Sequence, residues 1–311
     1  LGTFTFTRDI GKEGQWKFVV SWGGDDKYDN ASSNEYVLKV ESAIGKVIIV
    51  QGGGDEDNNK DWRMFNSLST YVYEAFKRRK FNDEDIYYLS PKREKDVDAV
   101  TSLENLEYAI TQWAPSKLNS DLSLYIYIIT HNGSKGMLVD KVDGTETYLT
   151  GEKLDSWLDQ LEGKCKDITI VIEACYSGGL VDKLSGEGRI IITSAQASSE
   201  ATIWTNYSFT NFFFDRLVEN RNVKESFESA SKDVEADELF GDQQPQLEAN
   251  GDGVSNAMDD KVVAESKYID GNYDSLTKLS EPPEIVEVSK DQELSAGKNE
   301  TTVWARVSSI D

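Results

Sequence analysis

Short apolar runs alternate with amphipathic stretches between residues 45 and 236, and this pattern predicts strands that alternate with helices. The predicted strands are rich in β-branched residues and have few polar positions, as in strands buried on both faces. The predicted strands are 46–50, 86–89, 122–130, 168–174 and 188–194, and the predicted helices are 62–80, 103–113, 151–161, 211–220 and 223–236. We therefore expect an α/β fold with a mostly parallel central sheet of about five core strands and helices on both faces.

Both ends of the chain show strand-like alternation without helices. These segments resemble parts of the immunoglobulin-like modules found along bacterial surface proteins. The sequence therefore predicts four regions: the C-terminal strands of one β-sandwich module over 1–43, the α/β domain over 44–240, a Gly/Asn/Asp-rich loop segment and linker over 241–281, and the start of a second β-sandwich module over 282–311.

The charge of the chain excludes several classes of partner. There are 33 Lys and Arg residues against 56 Asp and Glu residues, a formal net charge of −23, which would repel nucleic acids and anionic lipids. The longest apolar stretch, 122–129, is far shorter than the roughly 20 residues of a membrane span. Since the chain starts without Met and without a secretion signal, we expect a segment of a longer extracellular or cell-surface polypeptide, with other modules as neighbours.

The two cysteines, Cys165 and Cys175, are separated by a predicted strand. A strand of that length holds its ends more than ~20 Å apart. A disulfide requires Cα atoms within about 7 Å. We therefore expect two free thiols.

A thiol and an imidazole follow two consecutive buried strands of the central pattern. Cys175 comes after strand 168–174, and His131, the only histidine, comes after strand 122–130. The carboxyl ends of neighbouring parallel strands meet at one edge of a sheet, so the two side chains can converge there. A cysteine nucleophile needs a base and backbone N–H donors for the oxyanion, and Gly133 permits such close backbone approach. The alternative is that Cys175 is a small buried side chain and His131 a surface residue.

The segment 173–178, Glu-Ala-Cys-Tyr-Ser-Gly, preceded by a strand and paired with an upstream His/Gly strand end, resembles the legumain family of cysteine peptidases, which are relatives of caspases, gingipains and clostripain. The resemblance covers residues 45–235, and the flanking β segments are similar to bacterial members. It implies a caspase-like fold, Cys175 as nucleophile, a His/Gly pair of His131 and Gly133, protein or peptide substrates, and no cofactor for the chemistry.

The resemblance departs from the family pattern at the histidine. The family strand ends in Asp-His-Gly, whereas residues 130–133 read Thr-His-Asn-Gly, so a gapless alignment places Asn132 at the histidine position. Either His131 is shifted by one residue and is the base, or the domain is a catalytically silent binding or architectural module. The positions that the resemblance implies for substrate binding are Glu173, Ser194 and Ala195. The family's arginine position falls near Met64, and the adjacent Arg63 is the candidate that remains there. Because the second pocket acid has no counterpart, cleavage after Asn does not follow, and an acidic pocket would equally accept Lys or Arg.

A second constellation lies in the Gly/Asn/Asp-rich segment. Oxygen donors recur at the spacing by which a tight loop surrounds Ca²⁺, with Gly253 at the turn. The predicted ligands are Glu248, Asn250, Asp252, Val254, Asn256 and Asp259. The alternative is a polar linker rich in turn-forming residues. We expect a structural calcium site.

Overall fold

The computed structural model describes residues 14–24, 26–27, 29–40, 44–53 and 60–271, together with the short strand segments 3–4, 285–288, 300–301 and 305–307. The chain divides into two units, residues 43–273 and a second unit made of residues 1–42 and 274–311. Within the described ranges, no helix has the length and apolar character that crossing a bilayer requires.

The elements follow the predicted order. The strands are β1 (Thr3–Phe4), β2 (Gly14–Phe18), β3 (Ser21–Trp22), β4 (Ala31–Ser32), β5 (Tyr36–Val40), β6 (Lys46–Gln51), β7 (Ile86–Ser90), β8 (Ala99–Val100), β9 (Leu124–Ile129), β10 (Asn132–Gly133), β11 (Gly136–Val142), β12 (Thr145–Leu149), β13 (Ile168–Glu173), β14 (Arg189–Thr193), β15 (Gln246–Glu248), β16 (Ile285–Val288), β17 (Glu300–Thr301) and β18 (Ala305–Val307). The helices are α1 (Lys60–Arg78), α2 (Leu103–Tyr108), α3 (Ala114–Lys117), α4 (Gly151–Leu158), α5 (Val181–Leu184), α6 (Phe209–Val218), α7 (Val223–Ala236) and α8 (Met258–Glu265).

The central sheet of residues 43–273 has the order β15-β14-β13-β9-β6-β7-β8 in the described part of the chain. All neighbouring strands are parallel except β15, which runs antiparallel to β14. The predicted α/β class with a mostly parallel sheet is therefore confirmed. The five predicted strands form its centre, and the short strands β8 and β15 extend its two edges.

Helices cover both faces of this sheet, because successive strand residues point to opposite sides. Val47 and Ile49 pack with side chains of α1, α6 and α7, whereas Ile48 and Val50 pack with those of α2, α4 and α5. All four of these side chains are at most 2% exposed. The near-continuous apolar sequence of each central strand reflects this burial on both sides.

Two parts of the domain were not predicted. A small antiparallel sheet, β10-β11-β12, follows β9 directly, so the residues after His131 begin a hairpin and not an open loop. Residues 241–271, for which the sequence predicted a loop segment and linker, instead continue the domain: β15 joins the sheet and α8 packs against α7. The predicted domain end at residue 240 therefore lies too early.

In the ranges that the structure describes, the second unit contains short strand pairs. β2 pairs with β5, β3 with β4, and β16 with β18, all antiparallel, while β1 pairs in parallel with β17. The β1–β17 pairing places strands from both ends of the chain in one unit, where the sequence predicted two separate modules. The immunoglobulin-like assignment stays a prediction.

Candidate functional site

The Cys175 and His131 positions lie at the same edge of the central sheet. β9 and β13 are adjacent and parallel, and their last paired residues are Ile129 and Glu173. His131 and Cys175 each follow that pair by two residues. The fold thus brings the only imidazole of the chain and one of its two thiols to neighbouring strand ends, as the sequence predicted.

Backbone hydrogen bonds hold the turn after β13, residues 174–178, which we call the cysteine turn. Tyr176 adopts a left-handed conformation with φ of 56°, and its N–H donates to the Ser199 carbonyl at 2.9 Å. The Gly178 N–H donates to the Ala195 carbonyl at 2.8 Å. A Cβ on Gly178 would stand 2.7 Å from the Ala197 nitrogen, so this position needs glycine. The nucleophile candidate is therefore fixed by the loop that follows β14.

The Cys175 thiol is half-buried, and its Sγ lies 3.9 Å from the carbonyl of Ala201. Burial raises the pKa of Cys175, and the negative charges of Glu200 and Glu173 act in the same direction. The contact with the Ala201 carbonyl acts in the opposite direction. A raised pKa disfavours the thiolate, so an efficient reaction at this sulfur depends on a base that takes the proton of the thiol.

The His131 ring lies against the N-terminal turn of α1. Its Nε2 is 3.4 Å from Oδ2 of Asp61, and its ring centroid is 5.0 Å from that of Phe65. A Cβ on Gly53, at the end of β6, would stand 3.6 Å from its Cδ2. No hydrogen bond among the described residues joins His131 to the Cys175 thiol.

Asn132 makes the direct contact with the cysteine turn. Its Nδ2 donates to the Cys175 carbonyl at 2.9 Å. Its Oδ1 is buried without a hydrogen-bond partner in the protein. Both alternatives from the sequence therefore have a structural counterpart, with His131 in register with Cys175 and Asn132 touching the backbone of Cys175.

The backbone N–H groups around the thiol differ from the predicted arrangement. Gly133 pairs with Gly136, and the neighbouring Leu138 N–H donates to the His131 carbonyl at 2.7 Å, so the Gly133 N–H faces the hairpin. The Thr130 N–H faces β13, where it donates to the Glu173 carbonyl. N–H directions alternate along an extended segment, so the Asn132 N–H faces β13 as well. The N–H of Gly133, the glycine predicted beside the oxyanion, thus faces the hairpin, and a role for it in catalysis stays a prediction.

The acid predicted for the specificity pocket, Glu173, is fully buried. Its Oε2 accepts hydrogen bonds from the Thr210 N–H at 2.8 Å and the Thr210 hydroxyl at 2.7 Å, at the start of α6. Its Oε1 has no partner, and burial raises the pKa of this carboxyl. Glu173 therefore secures the N-terminus of α6 and is out of reach of a solvent-borne side chain in this conformation.

The other predicted substrate-binding residues lie in different surroundings. Ser194 and Ala195 are fully buried and bind the cysteine turn, with the Ser194 hydroxyl accepting from the Ala174 N–H at 3.2 Å. Arg63 is exposed on α1. Gln243, which the sequence did not single out, joins the two sides of the β14 loop: its Nε2 donates to the Ser194 carbonyl and its Oε1 accepts from the Thr202 N–H, both at 2.7 Å.

A groove of ≈ 560 Å³ opens beside the cysteine turn. Asn132, Gly133 and Tyr176 line it on the side of the strand ends, and Thr150, Leu180 and Lys183 line it on the side of α4 and α5.

The predicted calcium loop turns its side-chain oxygens toward its own backbone. Glu248 Oε1 accepts from the Gly251 N–H at 2.6 Å, Asp252 Oδ1 from the Val254 N–H at 2.7 Å, and Asn256 Oδ1 from the Leu247 N–H at 2.9 Å. Asp259 is exposed in the first turn of α8. Glu248 Oε2 is buried without a partner, and burial raises the pKa of this carboxyl. The described residues contain no cluster of three or more His, Cys, Asp or Glu side chains arranged to hold a metal.

Cys165 lies before β13, on the opposite rim of the sheet, and both cysteines are free thiols, as predicted. Burial raises the pKa of Cys165 to about 11, helped by the charge of Asp167. This thiol has no role at the Cys175 edge.

The comparison with protein families points to the same part of the domain. The family model of the Peptidase C13 family matches residues 115–251, which is less than half of the chain and includes His131 and Cys175. Among solved structures, the chain is similar to caspase-1 from Spodoptera frugiperda, with 14% sequence identity and a TM-score of 0.45 over 66% of this chain and 85% of that chain. No curated protein matches the sequence. The peptidase resemblance is thus supported over β9, β13, β14 and β15.

Proposed function

We propose that this domain is a member of the C13 peptidases and a cysteine endopeptidase, with Cys175 as nucleophile and His131 as base. The observation that carries the proposal is the register of β9 and β13, which sets His131 and Cys175 at equivalent positions of neighbouring strand ends. The family match over residues 115–251 supports the same class of reaction.

In the proposed reaction, His131 takes the proton of the Cys175 thiol, and the thiolate sulfur attacks the carbonyl carbon of a peptide bond. The N–H groups of Asn132 and Cys175 donate to the resulting oxyanion. The imidazolium returns its proton to the leaving amine, and water then hydrolyses the thioester. The ring must approach the sulfur for this transfer, and such contacts are often looser in a substrate-free enzyme than during the reaction.

A second candidate function is a catalytically silent module that binds other proteins. Two observations favour it: the Asn132 side chain, and not the imidazole, contacts Cys175, and the thiol has a raised pKa. A thiol without a nearby base reacts slowly, since the thiolate is the nucleophile.

Alkylation and a peptide library separate the two functions. Iodoacetamide near neutral pH should modify Cys175 much faster than Cys165. Mass spectrometry after cleavage at glutamate would measure this, because residues 163–173 and 174–187 then carry one cysteine each. The library should show cleavage after a restricted set of residues and so give the preference before the scissile bond. Equal, slow modification of both thiols together with an uncut library would support the silent module.

We further propose that the loop 248–259 binds Ca²⁺ as a structural ion, in the setting of an extracellular or cell-surface polypeptide. The phased oxygen donors and the unpartnered Glu248 Oε2 support this. The side chains of Asp252 and Asn256 would have to leave their backbone partners to bind the ion. Calcium should raise the melting temperature by mass action, and Asp252→Ala should remove that rise. Superimposable melting curves in calcium and in chelator would contradict the site.

A further inference from the structure

The chain enters and leaves the α/β domain at one place, on the edge of the central sheet opposite Cys175. It enters β6 from Gly45, and Asp270 and Gly271 follow α8 as the last described residues of the domain. The Gly45 N–H donates to Oδ2 of Asp270 at 2.9 Å, and the Asp270 N–H donates to the Tyr125 hydroxyl at 3.0 Å. A direct hydrogen bond therefore joins the entry of the domain to its exit.

Arg79, which follows α1, holds the exit segment in place. The residue is 2% exposed, and its guanidinium donates to the carbonyls of Ile269 at 2.7 Å and Asp270 at 3.3 Å. Ile269 is 3% exposed and lies in the same apolar core as side chains of α1 and α6. A buried charge is stable only when it is hydrogen-bonded, so Arg79 and the exit segment depend on each other.

Glycine occupies both ends of the domain, where the backbone is crowded. A Cβ on Gly45 would stand 2.3 Å from the Ser123 carbonyl oxygen and 2.8 Å from Oδ2 of Asp270. Gly271 has a φ of 72°, and a Cβ on it would stand 1.7 Å from the Arg79 carbonyl oxygen. Both ends thus lie tightly against the body of the domain. We call the contacts of Gly45 and Arg79 with Asp270 the clasp.

We propose that the clasp bears mechanical load: when the two flanking segments are pulled apart, force passes directly between Gly45 and Asp270 and bypasses the Cys175 edge of the sheet. Residues 1–42 and 274–311 belong to the other compact unit, so force from that unit reaches the domain at its two ends. Force between two points loads the most direct connection first, which here is the hydrogen bond to the Asp270 carboxylate. While the clasp is closed, the sheet and the candidate site stay folded. The proposal is independent of the peptidase function.

The test holds the full chain at constant force between its two ends and measures the lifetime of the folded domain. Opening releases residues 46–269, roughly 740–810 Å of extended chain, which distinguishes this event from extension of the shorter flanking segments. The lifetime under force reports the rate of unfolding. Asp270→Ala should shorten it by about 10–100-fold, because a hydrogen bond to a charged group is lost. Asp270→Asn keeps an acceptor oxygen and should be intermediate, and it serves as the test if the alanine variant does not fold.

Asp155→Ala is the matched control. Asp155 lies on α4 and pairs at 2.5 Å with the buried Arg189, which begins β14 at the same edge of the sheet, away from both ends of the domain. This variant should lower the melting temperature, because Arg189 loses a partner, and leave the lifetime under force nearly unchanged. Equal shortening in Asp155→Ala and Asp270→Ala, or an unchanged lifetime in both Asp270 variants, would overturn the proposal.

Hydrogen exchange at the Gly45 amide reports the clasp without force. The amide should be protected in the parent and in Asp155→Ala and should lose protection in Asp270→Ala, since local opening sets the exchange rate. If protection is lost while the lifetime under force stays the same, the contact bears no load and the proposal fails. If both fall together, the load-bearing role stands, whether or not the domain cleaves peptides.

Discussion

The ends of β13 and β9 lie side by side and differ in how they are held. After β13, backbone hydrogen bonds from Tyr176 and Gly178 to the loop after β14 fix the cysteine turn, and the thiol is half-buried. After β9, the chain enters a two-residue hairpin strand, and the side chain of His131 is 46% exposed. The candidate nucleophile is thus fixed and its pKa is raised, whereas the candidate base is accessible. Such an arrangement favours proton transfer during the reaction over a preformed thiolate–imidazolium pair.

Replacing the fixed member of the pair should have the largest effect. Cys175→Ala should reduce peptide hydrolysis by more than about 10³-fold, because it removes the nucleophile, while the melting temperature changes little. Cys165→Ala is the matched control and should keep nearly full turnover, since this thiol lies on the opposite rim. Peptide hydrolysis that persists in Cys175→Ala would contradict the peptidase proposal.

The second test concerns the β9 end. The two alternatives for its histidine predict opposite results for two substitutions. If His131 is the base, His131→Ala should lower kcat/KM by roughly 10²–10⁴-fold, and Asn132→His should bring no gain. If the Asn132 position faces the thiol and the base has been lost, Asn132→His should create or raise activity, and His131→Ala should change nothing. Measuring kcat/KM for both variants on one peptide decides between the two strand-end arrangements.

These same residues show how much of the site could be predicted from the sequence. The apolar runs predict β9 and β13, because burial on both faces of a sheet requires strands with few polar residues. The ends of these two strands then place Cys175 and His131 at one edge of the central sheet. The direction of the His131 ring was not predictable, because it depends on contacts with α1, 66 to 70 residues earlier in the chain. The spacing of Asp61 and Phe65 on one helix face was a signal, but it carries meaning only once α1 lies beside β9.

Two buried acids show a second limit. Glu173 and Glu248 were predicted as a pocket acid and a calcium ligand, and each is fully buried with one oxygen bound to backbone N–H groups. The position of a carboxylate in the sequence does not show whether it binds a ligand or accepts hydrogen bonds from backbone N–H groups at a helix start or in a turn. The difference lies in burial, which depends on the packing of α6 and of the turn between α5 and β14.

The rigidity of the cysteine turn can be tested by substituting one glycine at each strand end. Gly178→Ala should lower the free energy of unfolding by about 1–3 kcal/mol, since its Cβ would meet the Ala197 backbone at 2.7 Å. Gly133→Ala is the control at the β9 end, where a Cβ would have nothing within 4 Å. Urea melts of the two variants provide the measurement. Equal losses would mean that the two strand ends do not differ in rigidity as the contacts indicate.

The smallest expected effect concerns the charge beside the thiol. Glu200 is exposed, and its carboxylate raises the pKa of Cys175. Removing that charge in Glu200→Gln should favour the thiolate, lower the pKa of the thiol and speed its alkylation near neutral pH by roughly twofold to threefold. Because solvent ions screen an exposed charge, the gain should shrink as salt is raised from 0.01 to 1 M, as the Debye length falls from about 30 to 3 Å. Glu187→Gln, exposed at the opposite end of β14, is the matched control and should leave the rate unchanged. A gain that is equally large in both variants would mean that net charge, and not the position of Glu200, sets the reactivity of the thiol.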